Sequence, residues 1–128
     1  MTSNSRQIPY DGLMHELSLA QGLVEQLEHT AEAEQAIRIE RITVVIGKYS
    51  GVERDAFEFA FPFAAEGSKS ATAELAVEEH PVTVECRQCG AASNPEPTWL
   101  VCGDCGSNEV ELKGGREFLV KSVELEVP

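Results

Sequence analysis

Four cysteines with a repeated spacing constrain this chain more than any other feature. Cys86 and Cys89 form one Cys-x-x-Cys pair, Cys102 and Cys105 form a second, and twelve residues separate the pairs. A disulfide framework would normally staple a smaller secreted fold at dispersed points, whereas this grouping is typical of a metal site. The spacing predicts one tetrahedral four-cysteine centre, which is closed by protein ligands and is therefore structural.

The residues around the pairs support zinc. Gly90 and Gly106 follow the two pairs and permit the positive φ at which backbone N–H groups point at sulfur. We expect zinc because no flavin or haem motif accompanies the cysteines to imply electron transfer. A rubredoxin-like iron centre and a dithiol redox pair are the alternatives, since four thiolates also suit iron. Trp99, just before the second pair, is expected to pack against the segment that carries the cysteines, and an exposed docking role is the alternative.

The composition is that of a small globular protein with an acidic surface. Of 128 residues, 42% are hydrophobic, which is enough to bury a core in a chain too short for a large multidomain enzyme. The net charge of -12 opposes phosphate binding, so nucleic acid is not expected as a partner. No apolar run reaches the roughly 20 residues of a membrane span, and Met1 to Gly12 lacks a secretory signal. We therefore expect a cytoplasmic protein without membrane contact.

Periodicity predicts the order helix, strand, helix, strand, cysteine module, strand. Apolar residues at helical spacing predict a first helix over about Glu16 to Ala33. It follows a leader, Met1 to Leu13, whose composition favours turns and disorder. Alternating β-branched residues from Ile37 to Ile46 predict the first strand.

A second helix is expected to begin at Ser50, because Ser50 and Glu53 have the spacing of a capping box. Pro62 is expected to end or kink this helix, since proline removes a backbone donor. Core packing is the expected role of its phenylalanines, although their alternate spacing cannot place them all on one helical face. They are Phe57, Phe59, Phe61 and Phe63.

Extended segments flank the cysteine module, one from Leu75 to Val84 with an interruption at Pro81 and one from Phe118 to Val127. The simplest arrangement pairs them in one sheet and leaves the module as an insertion. The predicted fold class is α+β, with two helices on a three-stranded sheet and an inserted zinc-ribbon-like module of four cysteine ligands at residues 85–113. The main domain, residues 14–84 plus 114–128, is then discontinuous, and residues 1–13 are a leader or extension.

The three histidines differ in their surroundings. His29 lies on the polar side of the first helix and His80 precedes Pro81 near a strand boundary, so both are expected to be solvated or locally bonded. His15 lies where the first helix opens, and backbone N–H groups there have no partner inside the helix. From the residues alone, His15 is either a surface residue or a metal ligand.

Four segments, in order, resemble the HypA/HybF family of hydrogenase nickel-incorporation proteins. They are Met14 to Ala20 (MHELSLA), Ile46 to Glu53 (IGKYSGVE), the spaced cysteine pairs and Gly114 to Lys121 (GGREFLVK). The similarity extends over about Met14 to Val127, which makes it more specific than the cysteines alone. It implies a metallochaperone with a nickel domain and a zinc domain, not an enzyme.

The resemblance also implies partners. Members work with a maturation GTPase to supply nickel to the large-subunit precursor of [NiFe]-hydrogenase and, in some organisms, to urease with its accessory proteins. A monomer or weak homodimer is expected.

The resemblance implies a nickel site in which His15 supplies the imidazole and the backbone of Met14, His15 and Glu16 supplies further donors. Imidazole suits nickel, and Ni(II) accepts tetragonal nitrogen coordination, which Zn(II) does not prefer. In the family this methionine is the first residue and its free amine is a ligand, whereas thirteen residues precede Met14 here. Either translation begins at Met14 or the site is modified. Glu53 matches a position considered near metal in the family, but its capping role leaves it outside the predicted site.

Two other classes of function are consistent with a module of four cysteine ligands. One is a zinc-ribbon adaptor that binds protein or nucleic acid, and the net charge of -12 argues against its nucleic-acid form. The other is the rubredoxin-like redox protein, which stoichiometric iron in the purified protein would support.

Overall fold

The computed structural model describes residues 12–128, with side chains from His15 onward, and this part of the chain forms two helices and six strands. One sheet has the strand order β2-β1-β6 and the other β4-β3-β5. The α+β class is therefore confirmed. No helix in this range is long and apolar enough to cross a membrane. The elements are α1 (Gly12–Ala33), β1 (Arg38–Gly47), α2 (Arg54–Ala65), β2 (Glu74–His80), β3 (Thr83–Cys86), β4 (Ala92–Ser93), β5 (Val110–Gly114) and β6 (Phe118–Glu126).

The chain divides into two compact units. The first contains the described residues up to Arg41, together with Glu53–Leu75 and Val123–Pro128, and the second contains Ile42–Val52 and Ala76–Ser122. This division differs from the predicted one, which separates residues 85–113 from residues 14–84 and 114–128. That residues 85–113 fold separately as a zinc domain, apart from the nickel domain, stays a prediction.

α1 begins at Gly12, about one turn before the predicted start at Glu16, and ends at Ala33 as expected. Gly12 and Leu13 therefore belong to the helix, and residues 1–11 of the predicted leader lie outside the described residues. The buried side chains of α1 recur every three or four residues, which is the spacing of one helical face. They are Glu16, Ala20, Leu23, Val24, Leu27 and Ala31.

α2 does not begin at Ser50. Its N-cap is Glu53, whose carboxylate accepts hydrogen bonds from the backbone N–H groups of Asp55 and Ala56, at 2.7 and 3.3 Å. The Ser50 hydroxyl accepts from the N–H of Val52, only two residues on. Ser50 therefore closes the turn before α2, and the acidic residue of the expected box caps the helix by itself.

The helix continues through Pro62 to Ala65, so the proline does not end it, and the alternative expectation of a kink at Pro62 stays a prediction. Phe57 and Phe61 are buried, with ring centroids 6.2 Å apart. Phe59 and Phe63 are instead 60% and 64% exposed, and they contact each other on the outer face at 5.4 Å. Core packing is therefore correct for two of the four phenylalanines, because neighbours two positions apart point to different sides of a helix.

The predicted pairing of the flanking strands is only partly correct. The segment from Leu75 to Val84 splits into β2 and β3, on either side of Pro81. β2 and β6 do share a sheet, but β1 lies between them. The module has a sheet of its own, in which β3 pairs antiparallel with β5 and with the two-residue β4.

Two segments that carry the family resemblance meet in the second unit. The N–H of Gly47 donates to the carbonyl of Glu117 at 2.6 Å, and the N–H of Tyr49 donates to the carbonyl of Gly115 at 2.6 Å. A Cβ on Gly47 would overlap the backbone carbon and oxygen of Gly115 and would lie 2.8 Å from the nitrogen of Glu117. This close backbone approach explains why residue 47 is a glycine.

Candidate metal sites

The structure brings all four cysteines together beside the small sheet. Their four sulfur atoms lie within 4.8 Å of one another, and this is the only cluster of three or more potential metal ligands that residues 12–128 contain. The Sγ atoms of Cys86 and Cys105 are 3.6 Å apart, as are those of Cys89 and Cys102. Cys86 and Cys102 are buried, whereas the other two are exposed.

The two cysteine pairs are built in the same way. The N–H groups of Gln88 and Cys89 donate to the sulfur of Cys86 at 3.3 and 3.4 Å. Asp104 and Cys105 donate to the sulfur of Cys102 at the same two distances. These N–H groups stabilise negative charge on the two sulfurs.

Gly90 and Gly106 close the two turns, with φ values of 79° and 77°. Each donates its N–H to the carbonyl of the first cysteine of its pair at 3.0 Å. Only glycine adopts this backbone conformation without a Cβ penalty, so the positive φ inferred from sequence is confirmed.

Two of the four thiols have lowered pKa values and the other two have raised pKa values. The N–H of Cys89, followed by that of Gln88, lowers the pKa of Cys86 from 9.0 to about 6. The N–H of Cys105 lowers the pKa of Cys102 in the same way. The N–H of Ala91 acts to lower the pKa of Cys89, but its contact with Cys102 and its desolvation together raise the value to about 12.

The pKa of Cys105 is also raised. The N–H of Ser107 acts to lower the pKa of this thiol, but contact with Cys86 and desolvation raise it. Sulfur atoms this close do not ionise together unless a cation balances their charge.

The donor set fits a metal ion. With metal–sulfur bonds of about 2.3 Å, the sulfurs of a tetrahedral zinc site lie about 3.8 Å apart. Two of the S···S distances here, each 3.6 Å, are close to that value. The cluster therefore supplies four soft ligands in tetrahedral reach of one ion, and sulfur donors of this kind suit zinc or iron.

Two residues that sequence analysis did not single out hold the loop between the pairs. The side-chain amide of Asn94 donates to the carbonyl of Val82 at 2.9 Å and to the hydroxyl of Thr83 at 3.0 Å. The hydroxyl of Ser93 accepts from the N–H of Gly103 at 3.0 Å. Small polar residues between two metal-ligand pairs are the sequence signal for such a role, because their short side chains bond to nearby backbone.

Trp99 is not packed against the module. Its side chain is 72% exposed, so the sequence-based expectation is wrong. The backbone explains its position: the N–H of Trp99 donates to the carbonyl of Glu96 in a turn, and Val101 donates to the carbonyl of Trp99. This turn leaves the indole in solvent.

The predicted nickel residues lie in the first turns of α1. The side chain of His15 is 41% exposed, and its Nδ1 is 3.5 Å from Oε2 of Glu16. The Glu16 carboxylate is 1% exposed, and its Oε2 accepts the backbone N–H of Glu53 at 2.8 Å. Its other oxygen, Oε1, has no hydrogen-bond partner among the described residues. Of Met14 the structure describes the backbone alone, which is helical.

Glu16 therefore has a side-chain function that sequence analysis missed. A buried carboxylate costs stability unless it is hydrogen-bonded. The hydrogen bond of this carboxylate joins α1 to Glu53, the N-cap residue of α2. The signal in the sequence was its position four residues before Ala20, on the buried face of α1.

The other two histidines are placed as expected. His29 is exposed on α1. His80 lies between two carboxylates, with Nδ1 3.4 Å from Glu117 and Nε2 3.9 Å from Glu78. Neither histidine belongs to a cluster of potential metal ligands within the described part of the chain.

Comparison with known proteins identifies the family. Residues 14–125 match the family described as hydrogenase/urease nickel incorporation, metallochaperone, HypA. The hydrogenase maturation factor HypA of Nitrosospira multiformis is 37% identical over 112 residues, 88% of this chain and 97% of that protein. The corresponding protein of Aquifex aeolicus is 36% identical over 114 residues, 89% of this chain and 99% of that protein.

Solved structures agree. The solution structure of the Ni metallochaperone HypA from Helicobacter pylori is similar with a TM-score of 0.62 at 30% identity, covering 88% of this chain and 98% of that chain. A second solution structure of a HypA protein has a TM-score of 0.66 at 32% identity, covering 90% and 98%. The family match begins at Met14 and includes both the Met-His-Glu segment and all four cysteines. The chain therefore belongs to the HypA family of nickel-incorporation metallochaperones for hydrogenase and urease.

Proposed function

We propose that this protein is a nickel metallochaperone, not an enzyme, that binds Ni(II) at the start of α1 and delivers it to a [NiFe]-hydrogenase precursor. The observation that carries the proposal is the HypA family match over residues 14–125. The maturation factors from Nitrosospira multiformis and Aquifex aeolicus, and the Helicobacter pylori Ni metallochaperone, support the same role. The partners would be a maturation GTPase and the large-subunit precursor, with urease accessory proteins as a second route. The protein would act in the cytoplasm as a monomer or weak homodimer.

The nickel ligands would be the His15 imidazole and backbone nitrogens of Met14, His15 and Glu16. Imidazole and tetragonal nitrogen donors suit Ni(II). The partial exposure of His15 supports transfer, because a partner can approach the ligand that must release the metal. The cysteine cluster suits the opposite task, because four thiolates held by backbone N–H groups would retain a bound metal ion.

The helical conformation opposes this ligand set. Because α1 begins at Gly12, the N–H of Glu16 lies four residues after the Gly12 carbonyl, which is the spacing of an α-helical hydrogen bond. An amide nitrogen must lose its proton and this bond before it binds a metal. Nickel loading would therefore open the first turn of α1, while the hydrogen bond from Glu53 to the Glu16 carboxylate fixes the next one.

A nickel titration followed by absorption spectroscopy tests the site. His15→Ala should abolish the planar Ni(II) signal and leave zinc and helix content unchanged, because an exposed side chain contributes little packing. His29→Ala and His80→Ala are the matched controls and should bind as the parent does. Nickel binding by His15→Ala with an unchanged spectrum would contradict the proposed site.

A variant that starts at Met14 tests the backbone donors. It has a free amine in place of an amide, and it lacks the carbonyl of Gly12 to which the Glu16 N–H can bond. We expect it to bind Ni(II) more tightly than the full chain, with one more nitrogen donor. Equal affinity and identical spectra would show that neither the amine nor the helical turn matters.

For the cysteine cluster we propose one structural zinc ion bound by Cys86, Cys89, Cys102 and Cys105. The 3.6 Å S···S distances support it, and zinc would supply the positive charge that lets all four thiols ionise. Elemental analysis of protein purified without added metal should give about one zinc per chain. Stoichiometric iron with strong visible absorption would instead support the rubredoxin-like alternative.

A further inference from the structure

An open groove follows the outer edge of β5. β5 is the last strand in the order β4-β3-β5, and the groove, of about 740 Å³, is lined by all five residues Val110–Gly114. Successive side chains of a strand point to opposite faces, so a cavity above one face would be lined by every second residue. Lining by five consecutive residues means that the groove runs along the backbone edge itself.

The register shows which backbone groups face this groove. The N–H of Arg87 donates to the carbonyl of Glu109 at 2.8 Å, so these residues form a hydrogen-bonded pair of the antiparallel ladder. Hydrogen-bonded pairs alternate, and the next one joins Glu85 to Glu111. The N–H and C=O groups of Val110 and Leu112 therefore point away from β3, and no strand pairs with that edge among residues 12–128.

Two arginines lie at opposite ends of the edge. Arg87 is opposite Glu109, just before β5, and Arg116 follows β5 by two residues; both line the groove. The Arg116 guanidinium lies 6.0 Å from the centroid of the Tyr49 ring. The apolar residues Leu100, Val110 and Leu112 also line the groove.

These arginines are unusual in so acidic a chain. The net charge is -12, and the other arginines of the described residues all pair with glutamates, as Arg38 does with Glu126 at 2.7 Å. Within the described residues, neither Arg87 nor Arg116 makes such a pair. Their charge remains available to a ligand.

The acids in the groove are already engaged. Glu111 pairs with Lys113 at 3.4 Å. Glu117 accepts the N–H of Gly115 at 2.7 Å and lies 3.4 Å from His80. The charged side chains of the groove that lack an oppositely charged partner among the described residues, Arg87 and Arg116, are therefore both positive.

We propose that this edge binds an extended peptide of a partner protein by strand addition, and that the peptide carries acidic residues at both ends of an apolar stretch. Main-chain hydrogen bonds to Val110 and Leu112 would give affinity, and Arg87 and Arg116 would select the acidic ends. This surface goes beyond the nickel role and does not rest on it. A second copy of this chain fits less well, because antiparallel pairing of two β5 edges brings the arginine of one near the arginine of the other.

The probe is an acetylated eight-residue peptide with glutamate at both ends and alternating valine and threonine between them. It is titrated into the full metal-loaded chain by calorimetry and by fluorescence of Trp99, the only tryptophan, which is exposed beside Leu100. We expect saturable binding that weakens with salt. A peptide with lysine at both ends should not bind.

Variants separate charge from backbone. Arg87→Glu and Arg116→Glu should each weaken binding by about tenfold or more. Arg38→Glu, the same charge change in the other unit, should not. N-methylation of the peptide amides that face β5 should abolish binding, and amide exchange at Val110 and Leu112 should slow in the complex.

Three outcomes would overturn the proposal. No saturable binding would mean that the charges only protect an edge strand from aggregation. Equal binding of the N-methylated peptide would rule out strand addition. Concentration-dependent self-association through β5 would show that the edge binds a second copy of this chain and not a partner peptide. Because His15 lies outside the groove, His15→Ala should bind the peptide like the parent chain, so failure here and failure of the nickel site are distinguishable.

Discussion

Gly47→Ala should destabilise the protein strongly, although it adds one methyl group. The new Cβ would overlap the carbonyl carbon and oxygen of Gly115 and lie 2.8 Å from the nitrogen of Glu117. All three are backbone atoms, so no flexible side chain can move aside. The segments must separate, and the hydrogen bonds from Gly47 to Glu117 and from Tyr49 to Gly115, both 2.6 Å, must lengthen or break.

The magnitude follows from these contacts. Overpacking costs about 1–3 kcal/mol, and two hydrogen bonds contribute about 0.5–1.5 kcal/mol each, so the loss is about 2–6 kcal/mol. With a urea m-value of about 2 kcal/mol/M, the unfolding midpoint should fall by about 1–3 M. This is a large fraction of the stability of a small domain.

Urea unfolding followed by circular dichroism measures the change, and Gly22→Ala is the matched control. No atom lies within 4 Å of a Cβ at Gly22, which is in the middle of α1. Alanine there should raise the free energy of unfolding by about 0.4–1 kcal/mol, because it removes freedom from the unfolded chain. A Gly47→Ala midpoint equal to that of the parent would refute the argument from close backbone approach.

Two further predictions concern the buried face of α2 and the pH dependence of stability in the metal-free protein. Phe57→Ala should lower the free energy of unfolding by about 3–5 kcal/mol because Phe57 is fully buried, whereas Phe59→Ala should have a small effect; equal losses in thermal unfolding would contradict the assignment of faces. In the metal-free protein, the folded pKa of Cys86 is depressed from 9.0 to about 6, so the stabilisation from its thiolate is full above pH 9 and is lost as pH falls to about 6. Urea midpoints should fall over that range after chelation, with a smaller fall in Cys86→Ser.

The features that sequence analysis placed correctly depend on local spacing. The four cysteines meet because each Cys-x-x-Cys pair folds around its own sulfur, through N–H groups two and three residues on and a glycine at positive φ. The buried face of α1 follows from helical periodicity in the same way. In both cases the information lies within a few consecutive residues.

The features that it missed depend on contacts between distant segments. Nothing near β2 or β6 indicates that β1 lies between them, because strand order is decided by the packing of the whole sheet. Ser50 and Glu53 have the spacing of a capping box, but whether Ser50 or Glu53 caps α2 depends on where the chain turns after β1. The buried carboxylate of Glu16 is explained only by the N–H of Glu53, which is 37 residues away in the chain.

The two proposed metal sites differ in a way that suits opposite tasks. Four N–H groups already point at the sulfurs of Cys86 and Cys102, so the proposed zinc ligands are held in place before an ion binds, and release of the ion would leave the charges of close thiolates unbalanced. The proposed nickel ligands are instead backbone nitrogens at the start of α1, which bind metal only if the first turn opens. Refolding of that turn, with Glu16 held by Glu53, favours release. At the two proposed sites, a nickel ion would therefore leave the helix while a zinc ion would stay in the cysteine cluster.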